Sequence, residues 1–181
     1  QRKEFYGFDD EEVKPYFTTA NVFNGLFKIC EKIYNIEVHE RPTYVRNPGE
    51  PEQEDKVEVL NEDVKFYEVY DNESKKIIGG IYADLFPRED KRSGAWMDSV
   101  TKIKDYDAPT ITFLNANVTK PIGDEPALIT HRNVQTIFHE FGHCLHSIFY
   151  NGTVRNLSSL CVPWDFVEVP SKFNENFIWE K

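Results

Sequence analysis

The chain has 181 residues, about one domain's worth, and its 21 Lys and Arg against 31 Asp and Glu give a formal charge of −10. That balance argues against nucleic acid or an anionic membrane as partner, whose phosphates need a basic face. No apolar run reaches the roughly 18 residues that span a bilayer, while 40% hydrophobic and 14% aromatic residues suffice for a folded core. The N-terminus, Gln1-Arg2-Lys3-Glu4-Phe5, lacks an initiating Met and an apolar leader, and is read as the interior of a longer chain. Cys30, Cys144 and Cys161 form no C-x-x-C pair. A sparse, odd set of small buried thiols suits a reducing compartment, so the chain is expected to be cytoplasmic.

In chain order, Thr18 or Thr19 can cap a first helix reaching about Tyr34, with Phe23, Leu26, Phe27, Cys30, Ile33 and Tyr34 on one face. Residues 41–56, carrying Pro42, Pro48, Gly49, Pro51 and an acidic run, read as a solvated loop. Residues 64–70 mix alternation with β-branched and aromatic side chains and predict a strand, followed by a turn over 71–74. Residues 77–86 are its expected antiparallel partner. Gly79 and Gly80 suit a bulge there, and with Gly94 are candidates for close approach by an extended peptide. After a polar loop containing Pro87, Arg88 and Lys91, residues 109–118 predict a third strand. The three regions 1–60, 61–120 and 127–181 thus read as helix and acidic loop, small sheet, and a helical pair.

A second long helix is predicted from Thr130 to Phe149, with Gly152 as its stop signal. Val134, Ile137, Phe138, Phe141, Leu145, Ile148 and Phe149 fall within about 60° of one direction on a helical wheel. His139, His143 and His146 lie opposite, at about 140°, 180° and 120°. His139-Glu140-Phe141-Gly142-His143 is H-E-x-x-H, two imidazoles one turn apart, where one Zn²⁺ can be held at about 2.0–2.1 Å. Gly142 costs about 1 kcal/mol in mid-helix relative to Ala, so close approach by another backbone is expected there. Position 146 is His and 149 is Phe, which departs from the metzincin pattern. Val162 and Pro163 occupy the place of a carboxylate ligand about 20 residues on. The first carboxylates downstream are Asp165 and Glu168, where Pro163 suits a helix start and Pro170 a kink or restart.

The H-E-x-x-H motif, followed after 25 residues by the Glu of Asp165-Phe166-Val167-Glu168-Val169-Pro170-Ser171, closely resembles the thimet oligopeptidase, oligopeptidase A and dipeptidyl carboxypeptidase family. Lys14-Pro15-Tyr16-Phe17, Asn24-Gly25-Leu26-Phe27, Tyr82-Ala83-Asp84-Leu85-Phe86-Pro87-Arg88, Gly94-Ala95-Trp96-Met97-Asp98 and Pro126-Ala127-Leu128 are similar to its members as well. Pro163-Trp164-Asp165 leans toward the oligopeptidase A side. The resemblance implies an α+β, mainly helical, zincin-like catalytic domain fragment over 1–181, with a small antiparallel sheet beside the H-E-x-x-H helix. It implies His139, His143 and Glu168 as ligands of one Zn²⁺, with a fourth position left for water, and Glu140 as general base. The implied activity is metalloendopeptidase hydrolysis of internal bonds in short oligopeptides. The alternatives are a dipeptidyl carboxypeptidase or a non-catalytic zinc-binding fragment. His146 is expected to pack or hydrogen-bond rather than ligate. Asp165 and Glu175, three before and seven after Glu168, are candidates to orient a ligand imidazole. Family members continue with a Gly-rich segment that supplies a His and a Tyr to the oxyanion. Here no His follows His146 and no Tyr follows Tyr150. The sequence therefore reads as a central fragment, weakly active or inactive alone, whose partners are short peptides and the N- and C-terminal parts of the same enzyme.

Overall fold

A computed structural model describes residues 10–100, 108–121, 123, 126–152 and 158–179. The N-terminal run Gln1–Phe5 and Lys181 lie outside the described residues. The first long helix, α1 (Thr19–Tyr34), starts where Thr18 Oγ1 accepts from Asn21 N at 3.1 Å. It stops at Asn35, whose left-handed backbone (φ 54°) turns the chain directly into β1 (Ile36–Arg41). Two two-residue strands, β2 (Thr43–Tyr44) and β3 (Val57–Glu58), pair in parallel across the acidic loop. The main strands follow as β4 (Lys65–Asp71), β5 (Ile77–Asp84), β6 (Trp96–Val100) and β7 (Thr110–Asn115). Helices α2 (His131–Phe149) and α3 (Val169–Glu175) complete the fold.

The five-stranded sheet has the order β1-β4-β5-β7-β6. It is mixed, not antiparallel as expected, because β7 lies parallel to β5 while every other pair is antiparallel. The sheet also begins at Ile36, earlier than the 61–120 expected for it. Among the described residues the α-helices hold 4, 16, 19 and 7 residues and the five strands 6, 7, 8, 5 and 6, so helix exceeds strand only modestly and the sheet is a larger share than expected. A register shift between Val69 and Tyr70 marks the bulge anticipated near Gly79.

Gly79 and Gly80 sit inside β5, which has neighbours on both sides and no free edge for a peptide. Their bareness serves packing instead. A Cβ on Gly79 would come within 2.6 Å of Ile148 Cγ1, and one on Gly80 within 2.6 Å of Phe66 Cζ. Helix α2 therefore lies close on one sheet face, over β5, β6 and β7, and the Phe66 ring on the other. Phe23, Phe27, Tyr67 and Phe141 interlock with ring centroids 5.0–5.8 Å apart, joining α1, β4 and α2 in one core.

The polar loop after β5 is clipped shut. Lys91 has a side chain only 3% exposed and donates to the carbonyls of Asp84 (2.7 Å), Phe86 (3.0 Å) and Ala116 (2.6 Å). Its charge is matched by the Asp84 carboxylate at 2.8 Å, which also holds Arg88. No described helix is long and apolar enough to cross a membrane.

Candidate metal centre

Helix α2 begins in a reciprocal cap: Thr130 Oγ1 accepts from Asn133 N at 3.2 Å, and Asn133 Oδ1 accepts from Thr130 N at 3.3 Å. Its apolar stripe, Val134, Ile137, Phe138, Phe141, Leu145 and Ile148, is buried as the periodicity requires, and Phe149 emerges into solvent. The opposite face is covered by α3. Pro163 opens only a turn, and the helix starts later, with Pro170 in its first turn and Glu168 at its cap position. Glu168 is thereby delivered at the start of α3 against the middle of α2.

The two helices cross at Gly142. A Cβ there would stand 2.8 Å from Ser171 Cα and 2.9 Å from Pro170 O, both backbone atoms that cannot step aside. This is the close approach that the mid-helix glycine foretold. Asn174, fully buried, donates from Nδ2 to Phe138 O at 2.6 Å and ties the crossing together. Neither Asn174 nor Gln135 was singled out from sequence. Gln135 carried a signal, since it stands one turn before His139 on the same face.

The crossing brings His139, His143 and Glu168 together. Nε2 of His139 and Nε2 of His143 are 3.2 Å apart, and Glu168 Oε2 stands 3.1 Å from the first and 3.2 Å from the second. A tetrahedral ion bound at about 2.0–2.1 Å separates its ligand atoms by roughly 3.3 Å, so this near-equilateral triangle fits one Zn²⁺. Among the described residues, only this group is disposed to hold a metal. Burial, reinforced by neighbouring His139, drives His143 toward its neutral form, the form that ligates. Burial pulls the Glu168 carboxyl upward, but the Ser171 hydroxyl, donating at 2.8 Å, and the two imidazoles overcome it and hold the group below its ordinary value.

Glu140 is buried at 7% exposure. Burial pushes its pKa up, His139 opposes the rise and Glu168 adds to it. A carboxylate made more basic beside candidate metal ligands is suited to accept a proton. Of the two candidate orienting residues, Glu175 reaches the site and Asp165 stays exposed on the turn before Glu168. Glu175 Oε1 accepts from His139 Nδ1 at 2.5 Å. Burial raises its carboxyl, but hydrogen bonds from Lys172, Gln135 and His139 bring it down to about 2. His146 is half-buried, outside the donor triangle, and burial lowers its pKa.

An H-E-x-x-H helix crossed at its own glycine by a helix that presents a carboxylate defines a metallopeptidase-like centre. The chain belongs to Peptidase family M3, whose pattern it matches over residues 1–181. It is 39% identical to oligopeptidase A of Escherichia coli (strain K12) over 99% of this chain and 25% of that protein. Thimet-like oligopeptidase of Dictyostelium discoideum is 35% identical over 97% of the chain and 25% of its own length. Dipeptidyl carboxypeptidase of Escherichia coli (strain K12) is 33% identical over 97% of the chain and 24% of its own length. The chain thus spans about a quarter of the length of the curated relatives it matches.

Proposed function

We propose that residues 1–181 form the metal-holding part of the catalytic domain of a zinc-dependent oligopeptidase, which cleaves internal bonds of short peptides. The observation that carries this proposal is the convergence of His139 Nε2, His143 Nε2 and Glu168 Oε2 within 3.2 Å, with buried Glu140 beside the first of them. Zn²⁺ held there would supply Lewis acidity, acidifying water and polarising a peptide carbonyl. The chain's own groups supply the rest. The two neutral imidazoles and one carboxylate hold the ion while leaving it net positive charge. Glu140 takes the proton from the attacking water as its oxygen bonds to the carbonyl carbon. It then gives that proton to the amine nitrogen as the C–N bond breaks. Higher identity to oligopeptidase A than to dipeptidyl carboxypeptidase supports endopeptidase over carboxydipeptidase action. Sparse free cysteines support a cytoplasmic location, in keeping with a relative named probable cytosolic oligopeptidase A.

Metal analysis after dialysis should find about one zinc per chain. A His143→Ala, Glu168→Ala double variant should bind none, and stoichiometric binding by that variant would overturn the ligand set. In an enzyme carrying this sequence in full, Glu140→Gln should keep its zinc and lose about 10²–10⁴-fold in kcat. Near-normal turnover would assign the base to another group.

A further inference from the structure

The two imidazoles of the site are held differently. His143 Nδ1 is buried and has no hydrogen-bond partner among the described residues, whereas His139 Nδ1 meets Glu175 Oε1 at 2.5 Å. Glu175 is itself fixed from both helices: Gln135 Nε2 donates to Oε2 at 2.7 Å from α2, and Lys172 Nζ donates to Oε1 at 2.8 Å from α3. Glu175 is 7% exposed, so little water competes for these bonds. Carboxylates face both ring nitrogens and accept only, but Glu175 meets Nδ1 at 2.5 Å while Glu168 stands at 3.1 Å from Nε2, so the closer contact places the His139 proton on Nδ1 and leaves the Nε2 lone pair for an ion.

Building on the zinc-site assignment above, we propose that Glu175 is the positioning residue of the centre: it locks His139 in the Nδ1–H tautomer and in the ring orientation that aims Nε2 at the metal. The carboxylate is anchored by Gln135 and Lys172 independently of His139, so the lock exists before any ion arrives. It is one-sided. His139 is presented as a pre-oriented ligand, whereas His143 has no partner at Nδ1 among the described residues and meets its neighbours through Nε2. The short stretch from the cap residue Glu168 to Glu175 at the end of α3 therefore does two jobs, giving a ligand at one end and a ligand's support at the other.

Two readouts test this on the full chain. In the zinc-free protein, ¹⁵N-detected imidazole NMR above the histidine titration range should find His139 as the Nδ1–H tautomer. In Glu175→Ala the ring should shift to a mixture dominated by Nε2–H, the form favoured in free imidazole side chains. Zinc affinity, measured by competition with a chromophoric chelator, should fall about 10–100-fold in Glu175→Ala. Glu175→Gln should recover most of it, because the amide oxygen can accept from Nδ1–H while the Gln135 amide turns over to accept from the new NH₂. A Gln135→Met control, whose fold is checked by circular dichroism alongside the others, should lose less than Glu175→Ala. An Nδ1–H tautomer persisting in Glu175→Ala, or equal zinc affinity in all variants, would overturn the proposal. Should Glu175→Ala fail to fold, Glu175→Gln decides alone, and a tautomer different from the unaltered protein's would overturn the lock. Absence of zinc binding in every protein, with the tautomer shift intact, would strike the zinc assignment and leave the lock standing.

Discussion

Along the sheet, helix α2 is held by volume: Ile137, Phe141, Leu145 and Ile148 fill space against β5, β6 and β7, and each is at most 5% exposed. Along α3 it is held by closeness, with backbone nearly touching backbone at Gly142 and the Asn174 amide donating to the Phe138 carbonyl across the gap. The first seam tolerates shape change at a cost in stability, because apolar contacts are many and individually weak. The second fixes a distance on which three donor atoms depend. Stability and metal geometry are therefore kept on opposite sides of one helix, and they should be separable by mutation.

The largest effect is expected on the volume seam. Phe141→Ala removes a ring with no exposure and should cost about 3–5 kcal/mol in chemical denaturation of the zinc-free protein. The zinc affinity of its folded fraction should stay near that of the unaltered chain. Gly142→Ala should behave in the reverse sense. Its methyl overpacks against Ser171 and Pro170 at about 1–3 kcal/mol, offset by about 1 kcal/mol of helix propensity, so the net stability loss is small. Moving α3 by a few tenths of an ångström shifts Glu168 off the shared sphere, and zinc affinity should fall about tenfold or more. If calorimetry showed both variants losing stability and zinc affinity in the same ratio, the two seams would be one. The smallest effect is reserved for the cap: Thr130→Ala should cost about 1 kcal/mol and leave zinc titrations unchanged. A change in affinity there would mean that fraying of the first turn reaches His139.

Much of this was legible in the residues because the informative elements carry strong local signals. α1 and α2 have full apolar stripes and side-chain caps at Thr18 and Thr130, and β4 and β5 are rich in aromatic and β-branched residues. Strands β1 and β6 escaped notice for the opposite reason. Ile36–Arg41 and Trp96–Val100 are short and polar and lie at the two edges of the sheet, so one side of each needs no apolar neighbour. The parallel pairing of β5 with β7 leaves no local mark at all, being decided by where β6 goes. In the site, the spacing of the histidines and the bare Gly142 pointed to the crossing helix. The choice of Glu175 over Asp165 depended on the turn that precedes α3, since Pro163 failed to start the helix and so changed which carboxylate faces His139.

The position of β7 has a consequence for the order in which the molecule comes into being. A ribosome delivers β1, β4 and β5 first, and these can join at once as antiparallel neighbours. Strand β6 emerges next, yet its neighbour among the described residues is β7, which has not been made. Only when Thr110–Asn115 slides between β5 and β6 does the sheet close, across a parallel junction whose two strands are separated by more than 20 residues of chain. Lys91 must wait as well, since one of its carbonyls belongs to Ala116, just beyond β7. Helix α2 is synthesised immediately after this step and rests on the surface that the step completes. The helix that carries His139 and His143 thus rests on a surface that is complete only once β7 is in place.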